Sequence, residues 1–368
     1  MPSSEVLDFA KLLAPIPGDK PAGVDLRADT SPVSDYYAIR DARKAASDAE
    51  RRIDKGDDSA EPPIWHPVLE RATRVLAEKT KDLEITAYLI ESLVRLRGFP
   101  GIRDGYRLAR EFVERFWDGL YPSSSGGELQ ERFSHIFYLN GIEGPGTLIV
   151  PVRKIAMTAA TSTGTFNLTH HQQARSLAQL ADAKLRQKRI DEGAITFEKI
   201  QKAIAETPAK FYTELVDDIG GAAEEFRRFC GSLSEQSGFD PPSSDLLGVL
   251  DAYLDVVKDL ARDKLLKSEA PAPTPASGPA QPSTEAQAAP GANAAVIKNR
   301  EDALERLRKV AEYFREHEPQ SIIPYALEQV ATWGKMSLPE LLSELIPEEG
   351  PRKNVFKQVG IKPPEAKK

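Results

Sequence analysis

The side chains best suited to hold a transition metal are His66, His135, His170, His171, His317 and the single cysteine, Cys230, and their spacing gives no paired ligand pattern. His170 and His171 are adjacent, so on a helix they point about 100° apart. Carboxylate pairs occur at Asp217-Asp218, Glu224-Glu225 and Glu348-Glu349. Neighbours on a helix diverge onto solvated faces, whereas a hydrolytic dyad must converge across a cleft. The glycines of Gly141-Ile142-Glu143-Gly144-Pro145-Gly146 do not have dinucleotide-loop spacing, no phosphate-binding Walker loop is present, and no serine sits in a nucleophile elbow. The sequence therefore assigns no catalytic residue, no metal ligand and no cofactor, and reads as a protein that is not an enzyme.

One charged constellation is different in kind. Gly23, Asp25, Leu26, Arg27 and Asp29 follow a stiff loop containing Pro15, Pro17, Gly18 and Pro21. Two aspartates around one arginine form a local ion-pair and capping network, which would pin this loop to the body behind it. A structural or interaction motif is the expectation, not a reactive one.

The elements that would hold this motif are helical. A short amphipathic segment carries Val6, Phe9, Leu12 and Leu13. Ser34 caps a helix running to about Lys55, and Pro67 fits the first helical position of a segment with Val68, Ala72, Val75 and Leu76 at helical spacing. Asp82 starts a helix that Gly98 stops. It is apolar on nearly every side (Leu83, Ile85, Ala87, Tyr88, Leu89, Ile90, Leu93, Val94, Leu96), which predicts the central, buried element. A stripe from Ile102 to Trp117 follows, broken by Pro122, and a further helix spans Leu129 to Asn140, ended by Gly141. Thr147 to Met157 alternates and reads as a short strand or extended crossover, with Pro151 against a central strand. Helices are then expected over Thr169–Arg189, Thr196–Glu206, Pro208–Ser234 with an interruption at Gly220-Gly221, and Ser244–Lys267.

From Ser268 to Val296, 16 of 29 residues are Ala or Pro, and the only larger apolar side chain is Val296. Such a segment buries too little to offset its ordering entropy and reads as a linker. As a coil it would span about 30 Å and as polyproline about 90 Å. Beyond it, Leu304, Leu307, Val310, Ala311 and Phe314 line one helix and Ile323, Ala326, Leu327, Val330 and Trp333 a second. Ser337-Leu338-Pro339-Glu340 is a capping box that opens a third helix, and Arg352 to Val359 gives a fourth, closed by Gly360. A unit this small buries only about 60% of its unfolded surface, so self-association is expected. The fold class is thus all-α: residues 1–160 and 161–267 form a helical body, 268–296 a disordered linker, and 297–368 an oligomerisation module.

The chain has 368 residues and a net charge of -7, of which residues 297–368 contribute +1 and the linker -2. An acidic body without a basic stripe disfavours nucleic-acid binding, because that binding needs Lys and Arg to neutralise phosphates. The basic run Lys184, Arg186, Lys188, Arg189 suits the end of a helix. No run approaches the ~18 apolar residues of a membrane span, so direct membrane insertion is not expected. The lone cysteine fits a reducing compartment.

Pro21-Ala22-Gly23-Val24-Asp25-Leu26-Arg27-Ala28-Asp29, with the helical region through about Met157, resembles the ImpA N-terminal domain that opens TssA proteins of bacterial type VI secretion systems; Ala28 stands where that family usually has tyrosine. Phe314 through Ser321 with Glu318, Pro319 and Pro324, then Trp333, Leu341-Leu342 and Gly360-Ile361, is similar to the C-terminal module of the shorter members, with Ile322 and Ile323 departing from the usual EPxSP-like signature. The resemblance implies a cytoplasmic structural component of a contractile injection machine. Its C-terminal module would build rings of identical copies, and its partners would be baseplate, inner-tube and sheath proteins. A sheath-growth cap of the same apparatus and a multimeric adaptor outside secretion are the alternatives.

Overall fold

The computed structural model describes residues 2–123, 132–142, 144–269, 300–317, 323–334, 336–346 and 352. The chain divides into two compact units, Met1–Pro275 and Ala276–Lys368. Of the linker expected at 268–296, Ser268 and Glu269 are helical, which moves its start to 270 at the earliest, and residues 270–296 lie outside the described residues, as do residues 353–359 of the helix expected over Arg352–Val359, and Glu318, Pro319 and Gly360.

In the first unit the helices are α1 (Phe9–Leu12), α2 (Asp35–Asp54), α3 (His66–Glu78), α4 (Leu83–Phe116), α5 (Ser134–Asn140), α6 (Ile149–Arg153), α7 (Leu168–Ala178), α8 (Ala183–Asp191), α9 (Phe197–Glu206), α10 (Ala209–Ser237), α11 (Ser244–Leu260) and α12 (Arg262–Glu269). Among the described residues there is no strand, only isolated bridges such as Gly23 to Thr80 and Asp82 to Tyr121. The chain is all-α, as the periodicities predict.

Helix α4 is the axis of this unit, and it is a hairpin. At Gly98 the backbone turns through φ 62° and ψ -137°, a region open to glycine and strained for other residues. The second half then runs back along the first. A Cβ on Gly101 would overlap the Leu93 carbonyl, and one on Gly105 would lie 2.7 Å from Ile90 Cγ1. Two glycines one turn apart thus let the two backbones approach closely. The hairpin is buried on all sides, with Ile85, Leu89, Ile90, Leu93, Ile102, Tyr106, Phe112 and Val113 fully or almost fully covered. Helix α3 covers the first half. Helix α10 covers the second, setting Phe226 and Phe229 against Tyr106 and Glu225 against Arg110.

Local signals account for most helix starts. Asp82 accepts the N–H groups of Glu84 and Ile85, Ser34 that of Tyr37, Asn167 that of His170, and Asp182 those of Lys184 and Leu185. Four expectations are corrected. Ile149–Arg153 is a short helix, not a strand, because Pro151 falls in the first turn, where its missing N–H removes no bond. Thr169–Arg189 is two helices with a break at Gln179–Asp182. Ser244–Lys267 is likewise two helices, Ser244–Leu260 and Arg262–Glu269, while the start expected at Leu129 lies outside the described residues. Helix α10 passes through Gly220-Gly221 unbroken, since Gly221 lies against the Arg103 side chain and packing on α4 outweighs glycine's weak helix propensity.

An N-terminal strap binds this core through main-chain bonds. Ser3 N–H and Oγ–H donate to the two oxygens of Asp218 at 2.8 and 2.5 Å, Val6 N–H donates to Asp104 Oδ2 at 2.6 Å, and Arg103 donates to the Ser3 and Ser4 carbonyls. Asp218 is 5% exposed, so the expectation that Asp217-Asp218 is simply solvated is corrected: the strap closes over Asp218.

The second unit contains α13 (Arg300–His317), α14 (Ile323–Trp333) and α15 (Leu338–Leu345). Arg315 pairs with Glu328, and a Cβ on Gly334 would meet Leu304 Cδ2 at 2.5 Å, so α13 and α14 are antiparallel. Ser337 and Glu340 form the expected capping box. The buried face is narrower than the apolar stripe. Ala311, Pro324 and Ala331 are covered and Leu307 and Leu327 half-covered, whereas Val310, Tyr325, Val330 and Leu345 are 44%, 67%, 44% and 49% exposed.

Candidate interaction surface at the Gly23 loop

The loop holding Gly23, Asp25, Leu26, Arg27 and Asp29 enters the body through backbone pairing. Val24 N–H donates to the Lys79 carbonyl at 3.0 Å, Lys81 N–H to Ala22 at 2.8 Å, Tyr121 N–H to Lys81 at 2.9 Å and Leu83 N–H to Tyr121 at 2.8 Å. Three segments lie side by side: the loop, the turn leading into α4, and the chain leaving α4. Gly23 has φ +78°, and a Cβ there would overlap the Lys79 carbonyl, so only glycine fits.

Beneath this pairing, Lys81 is fully buried. Its ammonium donates to the Leu12 and Leu76 carbonyls at 2.7 and 2.9 Å and lies 5.5 and 5.6 Å from the ring centres of Phe112 and Phe116. Burial pulls its pKa down to about 8. One side chain thereby ties α1, α3 and the second half of α4 together.

Arg27 then anchors the 3-10 turn Leu26–Ala28 to the start of α4. Its guanidinium donates to Asp82 Oδ2 at 2.7 Å and Glu84 Oε2 at 2.9 Å, and its Nε lies 2.9 Å from Asp25 Oδ1. Asp25 also caps the turn through Arg27 N–H. Asp29 caps Ser31 N–H instead, which corrects the expectation of two flanking aspartates on one arginine. The loop arginine's other partners come from α4, 55 and 57 residues away. Leu26 is buried, as an anchoring apolar residue should be.

The network continues as a polar seam between α2 and α4. Glu84 Oε1 accepts the hydroxyls of Tyr36 and Tyr88 at 2.9 and 2.6 Å, Arg43 makes a two-pronged pair with Glu91, and Arg95 does so with Glu50. Tyr36, Arg43 and Glu50 recur every seven residues, so they form one stripe of α2 facing Glu84, Glu91 and Arg95 of α4. Burial, then the Glu84 charge, pushes the Tyr36 hydroxyl up to about 12. Burial raises the Asp82 carboxyl above its ordinary range while Arg27 pulls it back. Sequence reasoning took α4 as apolar all round and missed this seam. The available signal was Glu84, Tyr88 and Glu91, one polar row inside an apolar helix, which requires partners.

Chemically the cluster is saturated. Every nitrogen of Arg27 meets a carboxylate. Among the described residues no group of three or more His, Cys, Asp or Glu side chains could hold a metal ion, and no described helix is long and apolar enough to cross a membrane. Burial lifts the Cys230 thiol to about 12, which keeps it protonated. What adjoins the anchored loop is a groove of about 630 Å³, walled by Pro21, Ala22 and Gly23 on one side and by Trp117, Leu120 and Tyr121 on the other.

Of the residues singled out in the second unit, Pro324 is buried, Trp333, Leu341 and Leu342 are half-buried, and Trp333 Nε1 donates to Glu344 Oε1 at 3.3 Å.

Comparison with known proteins points one way. Residues 13–141 match the N-terminal domain of ImpA of the type VI secretion system. Across 357 residues, covering 93% of this chain and 96% of the relative, the sequence is 29% identical to the type VI secretion system component TssA1 of Pseudomonas aeruginosa. The fold matches an N-terminal domain that includes the conserved ImpA_N region of the TssA component of the type VI secretion system from Burkholderia cenocepacia, with a TM-score of 0.59 and 24% identity over 70% of this chain and 95% of that one.

Proposed function

We propose, from the premise that this chain belongs to the TssA family of the type VI secretion system, that it is a structural assembly protein whose C-terminal unit multimerises into a ring and whose N-terminal body contacts other parts of the apparatus. The observation that carries this reading is the length of the likeness to TssA1, which runs through both units and nearly the whole of both chains. Apolar side chains left open on the second unit, Val310, Tyr325, Val330 and Leu345, supply a surface that copies of the chain can bury against each other. Residues 268–296, Ala- and Pro-rich, act as the tether. The body works in the cytoplasm on baseplate, inner-tube and sheath proteins, with the loop from Gly23 to Asp29 as a rigid support for a contact surface rather than a reactive group. The protein performs no catalysis.

Light scattering coupled to gel filtration tests this on the full chain. A discrete assembly of many copies is expected, and it should collapse on Tyr325→Glu with Val330→Glu, which places charge in the open apolar face. A monomeric wild-type chain at all concentrations overturns the ring.

A further inference from the structure

The groove beside the Gly23 loop holds a cation that no carboxylate among the described residues answers. Arg132 lines it. Its Nε and Nη2 donate to the carbonyls of Pro122 and Leu120, and its guanidinium stacks 4.6 Å from the Phe133 ring centre and 5.4 Å from that of Trp117. The side chain is therefore half-buried and fixed in direction. Every other half-buried arginine of the loop network and seam, Arg27, Arg43 and Arg95, meets a carboxylate. Among the described residues Arg132 pairs with none, and burial without a compensating anion lowers its pKa. Asp19, Lys20 and Asp118 also line the groove, but all three are exposed at its rim and solvated.

A desolvated guanidinium held by two carbonyls keeps Nη1 for a ligand, and a carboxylate is the complementary group. Trp117, Leu120, Pro21 and Ala22 offer apolar walls on either side, which suits an extended peptide with one acidic side chain beside apolar ones. Two aspartates at the rim repel a polyanion, so a nucleic-acid backbone fits poorly. We propose that this groove is a docking site for an extended segment of a partner protein that places a Glu or Asp carboxylate on Arg132. The inference rests on the reading that the N-terminal body contacts other components, and it names the chemistry of one such contact.

The test pans a random heptapeptide display library on the full chain, then measures a fluorescein-labelled winner by anisotropy. Winners should share an acidic residue at one position. Replacing that residue by its amide should weaken binding at least tenfold on wild-type protein, and Arg132→Met should lose the same factor, while Lys20→Met changes it less than threefold. Because Arg132 also clamps two carbonyls, a second variant leaves it intact: Ser123→Cys, blocked with a bulky maleimide, fills the groove and should abolish binding. Winners without an acid, equal binding of acid and amide, binding that survives the blocked groove, or a labelled dT12 oligonucleotide displacing the peptide each overturn the proposal. Loss of peptide binding with the assembly intact removes this groove alone; acid-dependent binding to a monomeric chain removes the ring alone.

Discussion

Replacing Arg27 by Met removes the one cation that Asp82 and Glu84 share. Both carboxylates are inaccessible, at 0% and 4% side-chain exposure, and Arg27 itself is 23% exposed. Breaking a buried ion pair from one side typically costs about 3–5 kcal/mol. Asp82 retains its two capping N–H donors, and Glu84 retains the two tyrosine hydroxyls, so the lower end, about 3 kcal/mol, is expected. For a body of this size that lowers the melting temperature by roughly 6–12 °C. The loss should depend on pH with a definite sign. Burial already holds the Asp82 carboxyl above its usual range and Arg27 opposes this; without Arg27 it rises further above the unfolded value of about 3.9. The folded variant then takes up a proton that the unfolded chain does not, so the variant gains stability as pH falls through that raised pKa. Scanning calorimetry of wild type, Arg27→Met and Arg27→Lys at pH 7.5 and 5 measures it. The gap between wild type and Met should be widest at pH 7.5 and narrower at pH 5, with Lys between because it keeps the charge but not the fork. A fall of less than 2 °C, or one equal at both pH values, would refute the view that this arginine neutralises buried charge.

Further outcomes are expected elsewhere in the body and in the second unit. Gly23→Ala should destabilise by about 2–4 kcal/mol through its positive φ and its overlap with the Lys79 carbonyl; a variant that melts like wild type would show that the loop is free to move. Lys81 has a folded pKa of about 8 against an ordinary 10.5, so the unfolded state binds the extra proton between these values and the protein should gain on the order of 2–3 kcal/mol as pH rises from about 8 to 10.5. Lys81→Met should lack that rise in calorimetry. Ser337→Ala removes one half of a capping box and should cost the second unit about 1 kcal/mol, read as a lower melting temperature of that transition.

Much of the helical architecture was legible because it is written locally. Asp82 and Ser34 mark helix starts through bonds that span two or three residues, Pro67 marks one by fitting the first turn without an N–H, and the stripe Val68, Ala72, Val75, Leu76 is the buried face of α3. The Arg27 motif stood out for the same reason, yet its partners did not, since Asp82 and Glu84 reach it only after α2 and α3 have folded back. Gly98 read correctly as a stop. What the pattern could not convey is that the chain reverses there, which depends on Gly101 and Gly105 admitting a neighbouring backbone. Gly220-Gly221 misled in the other direction: an intrinsic propensity of about 1 kcal/mol per glycine was outweighed by packing along α4. Arg132 could not be singled out at all, because its contacts with the Leu120 and Pro122 carbonyls and the Trp117 and Phe133 rings appear only in the fold.

The strap that joins Ser3 to Asp218 spans 215 positions of sequence. During synthesis the ribosome delivers the first of these long before the second. At elongation rates of about 5–20 residues per second, the interval is roughly 10–40 s. For about the second half of it, once Phe116 has been made, the aromatic face that receives Phe226 and Phe229 stands on a hairpin whose second half has nothing yet to cover it. Until α10 emerges, that aromatic face has no partner within the chain made so far.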